Sequence, residues 1–261
     1  DLAGNAGGTG QTANFTIDTA TPSISAVGTG ALSWGAYLNA TEDNSDGTVT
    51  VTTSGVEDGQ TVTIVLGGVT DTGSVSSNSA TVTIAASDLD ALADGAHTMT
   101  VDVSDAAGNA ATQVTSSSFT ADATAPTVSS ISMNDTALKS GDTATLTIVF
   151  SEAVTAFANA DLTIPNGTLT NVATGDNITW TATYTPTADV TDTTNVISVA
   201  TSYTDLAGNA GGTGQTANFT IDTSAPSVGL VSSTTANGYY NSGDVINILV
   251  YFTESVTITG T

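Results

Sequence analysis

A chain of 261 residues is a soft prior for about two domains, and its single basic residue, Lys139, stands against 25 acidic ones for a formal charge of −24. One basic residue cannot neutralise phosphates and anionic lipid repels the chain, so nucleic acid and membrane insertion are excluded as partners, whereas divalent cations are attracted. The absence of Cys removes thiol chemistry, and no run of 18 apolar residues offers a membrane span.

The acids are 21 Asp and four Glu (Glu42, Glu57, Glu152 and Glu254). Asp is a poor helix and strand former but a good turn residue and hard-cation ligand. Acidity of this order also occurs in disordered chains. Here 39% of residues are hydrophobic and alternate with polar ones, which predicts a folded, strand-rich protein.

In chain order, residues 1–19 open with the turn-like DLAGN and close on FTID. Strands follow where Val or Ile alternates with Thr, at 48–52 and 81–84. Residues 86–94 carry the only helical signal, one or two turns between strands. Alternation resumes at 98–103, before DAAGN at 105–109 and FTADATAP at 119–126. Further on, Ala144, Leu146, Ile148 and Phe150 share one face, and Ile178, Trp180, Ala182 and Tyr184 share another. Period-2 patterning with one polar face predicts antiparallel strands packed on one side, and many short strands between turns suggest a sandwich.

Two internal repeats organise these elements. DLAGNAGGTGQTANFTIDT at 1–19 recurs letter for letter at 205–223, with a diverged copy beginning at Asp105. SGDTATLTIVFSEAV from Ser140 returns as SGDVINILVYFTESV from Ser242, an offset of 102 residues. A period near 100 residues is the size of one immunoglobulin-type sandwich. Placing boundaries at the Asp-x-x-x-Pro segments gives the closing strands of one domain at 1–19, complete domains at 20–123 and 124–223, and the opening strands of another at 224–261. Both ends then fall inside domains, and export signals are expected outside this stretch.

DAAGN followed by FTADATAP resembles the end of bacterial immunoglobulin-like repeats. Residues 20–123, with YLNATE at 37–42 and LADG at 92–95, resemble one subfamily. Residues 124–223, with DTALKSGDTATLTIVFSEAVTAFANADLTI and DLAGNAGG, resemble another. The resemblance covers essentially the whole chain. It implies an all-β array of tandem immunoglobulin-like sandwiches in the extender region of a giant RTX-type surface adhesin. Such a stalk is secreted or cell-surface, works in adhesion and biofilm, and in several such proteins is stiffened by calcium between domains.

The residues themselves make Ca²⁺ the sharpest site expectation, because it takes six to eight oxygens from carboxylates, amides and carbonyls. The middle junction is expected to use Asp105, Asn109 and Asp122, with Asp142 or Glu152 added from the following domain. The last is expected to use Asp205, Asn209, Asp222, Asp244 and Glu254. The first draws on Asp1, Asn5 and Asp18, with Asn39 and Glu42 across. The same segments are also good turns with or without metal, since Gly and Asn tolerate positive φ and Asp caps backbone amides. The run Glu42–Gly47 approaches an EF-hand loop but opens on Glu and has Thr53 at the closing position, so it reads as an acidic turn.

Catalysis finds no support. One His (His97), no Cys and 5% aromatics supply neither a zinc set, nor more than one candidate triad histidine, nor an aromatic sugar cleft. Trp34 and Trp180 read as core residues. The Thr-x-Thr runs read as the outer face of a twisted sandwich rather than as a flat ice-binding array. The chain is therefore read as a non-enzymatic extender whose partners are neighbouring immunoglobulin-like domains of the same chain. Two alternatives stand beside it: a self-associating subunit of an extracellular fibre or surface layer, and a glycan- or protein-binding module presenting Tyr37, Tyr239 and Tyr240.

Overall fold

A computed structural model describes residues 2–4, 8, 10 and 14–260. The chain forms two compact units, Asp1–Ala125 together with Leu206–Asn209, and Pro126–Asp205 together with Ala210–Thr261.

In the first unit one sheet orders Ser23–Ile24, Gly47–Ser54 and Ser79–Ile84, and another orders Val69–Ser74, Thr61–Leu66, Thr100–Val103 and Val114–Thr115. All these pairings are antiparallel. Alternation decides which face is buried: Val49 and Val51 have no exposure while Thr50 and Thr52 face solvent. Opposing rows from the other sheet, including Val62, Ile64 and Val101, complete the core. A third sheet places Phe119–Asp122 between Tyr37–Asn39, parallel to it, and Gly95–His97, antiparallel. The helical signal is a single helix, Ala86–Asp90. Trp34 is buried edge-on against Phe119, and its ring leaves no room for a Cβ on Gly47.

The second unit repeats the plan with a more aromatic interior. Val128–Met133, Ala144–Phe150, Thr179–Pro186 and Gly167–Leu169 form the main sheet, and Ala173–Thr174 also pairs with Thr179–Pro186. Phe219–Asp222 lies between Ala137–Lys139, parallel, and Thr191–Asn195, antiparallel. Phe150, Phe157 and Tyr203 pack with ring centroids 4.7–5.7 Å apart. Trp180 adds an edge contact to Phe157 at 5.2 Å but is only partly buried, its indole N–H donating to the Asn177 carbonyl. Burial pushes the Tyr184 phenol up to about 12, and its hydroxyl donates to Pro165 O at 2.7 Å.

One pair of positions separates the two cores. Gly211 N–H donates to Tyr203 O at 2.9 Å, as Ala111 N–H donates to Val103 O at 2.9 Å in the first unit. A large ring is matched by glycine in one unit, and a small side chain by alanine in the other. Also within the second unit, Val228–Ser233 and Ile248–Phe252 form a two-stranded hairpin. Its register repeats that of Val128–Met133 on Ala144–Phe150, irregularity included. Its apolar residues, among them Leu230, Val231, Val250 and Phe252, remain exposed.

Candidate metal centre

The Asp-x-Ala-Gly-Asn segment at 105–109 is a closed turn. Asp105 N–H donates to Asn109 O, Gly108 N–H returns to Asp105 O, and Gly108 takes φ +92°, which its lack of a Cβ permits. The Asp105 carboxylate accepts the Asn109 side-chain and main-chain N–H groups, each at 2.8 Å. The Asn109 amide is the main reason that this carboxyl is held below the usual range, although Asp105 is only 4% exposed. The second turn is built on Gly208 at φ +101°, with Asp205 2% exposed.

The asparagines of the turns at 105–109 and 205–209 also reach an aspartate that precedes them by 87 to 91 residues. Asn109 Nδ2 donates to Asp18 O at 3.2 Å. Asn209 Nδ2 donates to Asp122 O at 2.8 Å, and its Oδ1 accepts Ala40 N–H at 2.9 Å. Asn39 Nδ2 donates to Ala207 O at 3.2 Å. All these partners lie in the first unit, to which residues 206–209 belong. The structure therefore groups Asn109 with Asp18 and Asn209 with Asp122, where the sequence suggested Asn109 with Asp122 and Asn209 with Asp222. It groups Asn39 with Ala207 and Asn209, where the sequence suggested Asp18.

A second motif closes the strand beside each terminal Asp. Asn39 N–H donates to Glu42 Oε2 at 3.2 Å, Lys139 N–H to Asp142 Oδ2 at 3.1 Å, and Asn241 N–H to Asp244 Oδ2 at 2.6 Å. Lys139 Nζ reaches both Asp142 oxygens, at 3.0 and 3.1 Å. The backbone amide of Lys139, followed by its ammonium, holds the Asp142 carboxyl below the usual range.

The remaining expected ligands also serve turns. Asp18 Oδ1 accepts Ala20 N–H, Asp122 Oδ1 accepts Thr124 N–H, and Asp222 Oδ1 accepts the Thr191 hydroxyl. Glu152 and Glu254 are partly buried. Asp1 and Asn5 lie outside the described residues. In the run Glu42–Gly47, Asp46 Oδ1 accepts Ala86 N–H at the start of the short helix, and buried Asp43 accepts Asn44 Nδ2. Its carboxylates thus have local partners. His97 Nε2 lies 2.7 Å from the Ala93 carbonyl.

This donor set of carboxylates, amide oxygens and carbonyls has the chemistry of a hard-cation site. The chain's one lysine is engaged by Asp142.

Residues 122–221 match the family model for a bacterial Ig-like domain. A solved immunoglobulin-like domain from the M. primoryensis ice-binding adhesin is 33% identical, covering 39% of this chain and 94% of that one, with a TM-score of 0.28. The chain belongs to the bacterial immunoglobulin-like domains. Two longer members of this group are also similar to it. One is part of a 1.5-MDa bacterial ice-binding adhesin studied for host cell surface retention, 25% identical over 83% of this chain and 70% of that one, TM-score 0.48. The other is a Ca²⁺-stabilised adhesin with which an Antarctic bacterium binds ice, 23% identical over 84% of this chain and 52% of that one, TM-score 0.46. No curated protein matches the chain.

Proposed function

We propose that this chain is an extender segment of a large bacterial surface adhesin, in which consecutive immunoglobulin-like domains act as spacers and Ca²⁺ stiffens the junctions between them. The observation that carries the reading is the letter-for-letter repeat of 1–19 at 205–223, combined with the family match at 122–221. A unit of one fold used repeatedly builds length rather than a unique active site. On this reading the domains divide at 20–123 and 124–223, flanked by strands of a preceding domain (1–19) and a following one (224–261). The protein is secreted or held at the cell surface.

For the ion we propose Asp122, Glu152 and Asp205 as candidate Ca²⁺-ligating carboxylates. Asp18 with Asp105, and Asp222 with Glu254, are proposed as the corresponding positions of the neighbouring repeats. The amide oxygens of Asn39, Asn109 and Asn209 supply further polar surface. Without metal, carboxylates of like charge repel one another. When bound, Ca²⁺ supplies the opposing charge, and the residues' own task is to orient oxygens toward it. For a site with Kd near 10⁻⁴ M, millimolar Ca²⁺ contributes about 1.4 kcal/mol.

The test is small-angle scattering of the full chain in millimolar Ca²⁺ and then in excess chelator. The expected result is a longer, narrower distance distribution with Ca²⁺. Superimposable curves refute the role of the ion and leave a metal-independent extender.

A further inference from the structure

The chain's one lysine stands at a position that the fold repeats. In the first unit Tyr37–Asn39 runs parallel to Phe119–Asp122, with Asn39 opposite Asp122. In the second, Ala137–Lys139 runs parallel to Phe219–Asp222, with Lys139 opposite Asp222. The turn that follows is the same in both, its acid three residues on accepting the backbone N–H of Asn39 or of Lys139. Asn39, Glu42 and Asp122 thus occupy the three positions held by Lys139, Asp142 and Asp222. The turn from Asn241 to Asp244 returns to asparagine.

We propose that Lys139 is a resident counter-ion to Asp142, whose ammonium weakens Ca²⁺ binding at the closing end of the second unit relative to that of the first. Successive junctions of the array then differ in their demand for metal. The inference rests on the calcium reading above. Lys139 Nζ bonds both oxygens of Asp142, so a divalent cation arriving at this carboxylate meets a like charge and two occupied acceptors. As a stabilising device the pair is weak, since the lysine side chain is 78% exposed and such surface pairs contribute little. Its effect at this position is to raise the local potential where the first unit has a neutral amide.

Carboxyl ¹³C NMR of the full chain tests both readings in one Ca²⁺ titration, on the wild type and on Lys139→Gln, which keeps a polar side chain and removes the charge. A response of Asp122 in the wild type reports the calcium reading. The responses of Asp142 and Asp222 report the inference, and the expected result is an apparent affinity at least tenfold tighter in Lys139→Gln. Equal titrations of Asp142 and Asp222 in the two proteins overturn the role of Lys139, whatever Asp122 does. If Asp122 stays silent while Lys139→Gln tightens Asp142, the proposed site at Asp122 fails and the counter-ion role stands.

Discussion

Replacing Gly211 with alanine sets a small group against an immovable one. A Cβ there would lie 2.1 Å from two ring carbons of Tyr203, so an ordinary contact of 3.4 Å requires about 1.3 Å of movement. The ring has no exposed surface, its centroid lies 4.7 Å from that of Phe150 and 5.7 Å from that of Phe157, and its hydroxyl donates to Gly212 O at 2.7 Å. Overpacking of this kind costs about 1–3 kcal/mol, occasionally more. Tyr203→Val alone empties the site and loses a hydrogen bond, for about 3–5 kcal/mol. The double variant installs the Val103–Ala111 combination that the first unit already uses around the same backbone hydrogen bond. It should therefore be less destabilised than the sum of the singles by about 2 kcal/mol, a contact-range coupling. Urea unfolding of the full chain, followed by Trp180 fluorescence in a Trp34→Phe background, reads the second unit. Additive costs would show that Tyr203 and Gly211 are not matched, and the steric argument would fall.

Other outcomes follow from the same geometry. Gly47→Ala drives a methyl into the Trp34 ring, 2.4 Å away, and should destabilise the first unit by about 1–3 kcal/mol in Trp34 fluorescence melts. Asn209→Ala removes the acceptor for Ala40 N–H and the donor to Asp122 O, so hydrogen exchange at Ala40 should quicken by about tenfold. Desolvation, followed by the charge of Asp88, raises the Asp71 carboxyl, one oxygen of which is buried without a partner. Its ionised form is disfavoured in the fold, so Asp71→Asn should raise the melting temperature at pH 7. That advantage should disappear as the pH falls below the unfolded value of about 3.9. Asp94, Asp105, Asp142, Asp176 and Asp192 are shifted the other way, chiefly by hydrogen bonds. Their contribution is fully present above about pH 3.9 and is lost as the pH falls through their lowered values, so chelator-treated chain should hold its melting temperature down to about pH 4 and drop below it.

The alternation of Val with Thr made the strands and their buried faces legible, because a two-residue period admits one choice of inner face. The 100-residue period made the repeated sandwich legible for the same reason that it makes the array possible. What composition and spacing left hidden was which turn meets which strand end. Asp-x-Ala-Gly-Asn precedes the final strand of its repeat, and Phe119–Asp122 carries the chain away from the turn before Asp122 is reached. Asn109 is thereby left beside Asp18, the residue that closes the previous repeat. Strand direction carries that information, and residue type does not. Trp180, on the apolar face of its strand, read as core more strongly than Trp34, yet a glycine at 47 admits Trp34 into the core, while Trp180 keeps its N–H on an exposed carbonyl.

That Leu206–Asn209 fold with the first unit has a temporal side. On a ribosome the first sandwich has all its own strands once Ala125 is made, yet Ala40 N–H and Asp122 O still lack the Asn209 side chain, 84 residues further on. At about 5–20 residues per second that is a wait of roughly 4–17 s. The first unit is thus sealed only once residue 209 is made, and a chain stalled before it carries a sandwich whose exit edge is not yet closed.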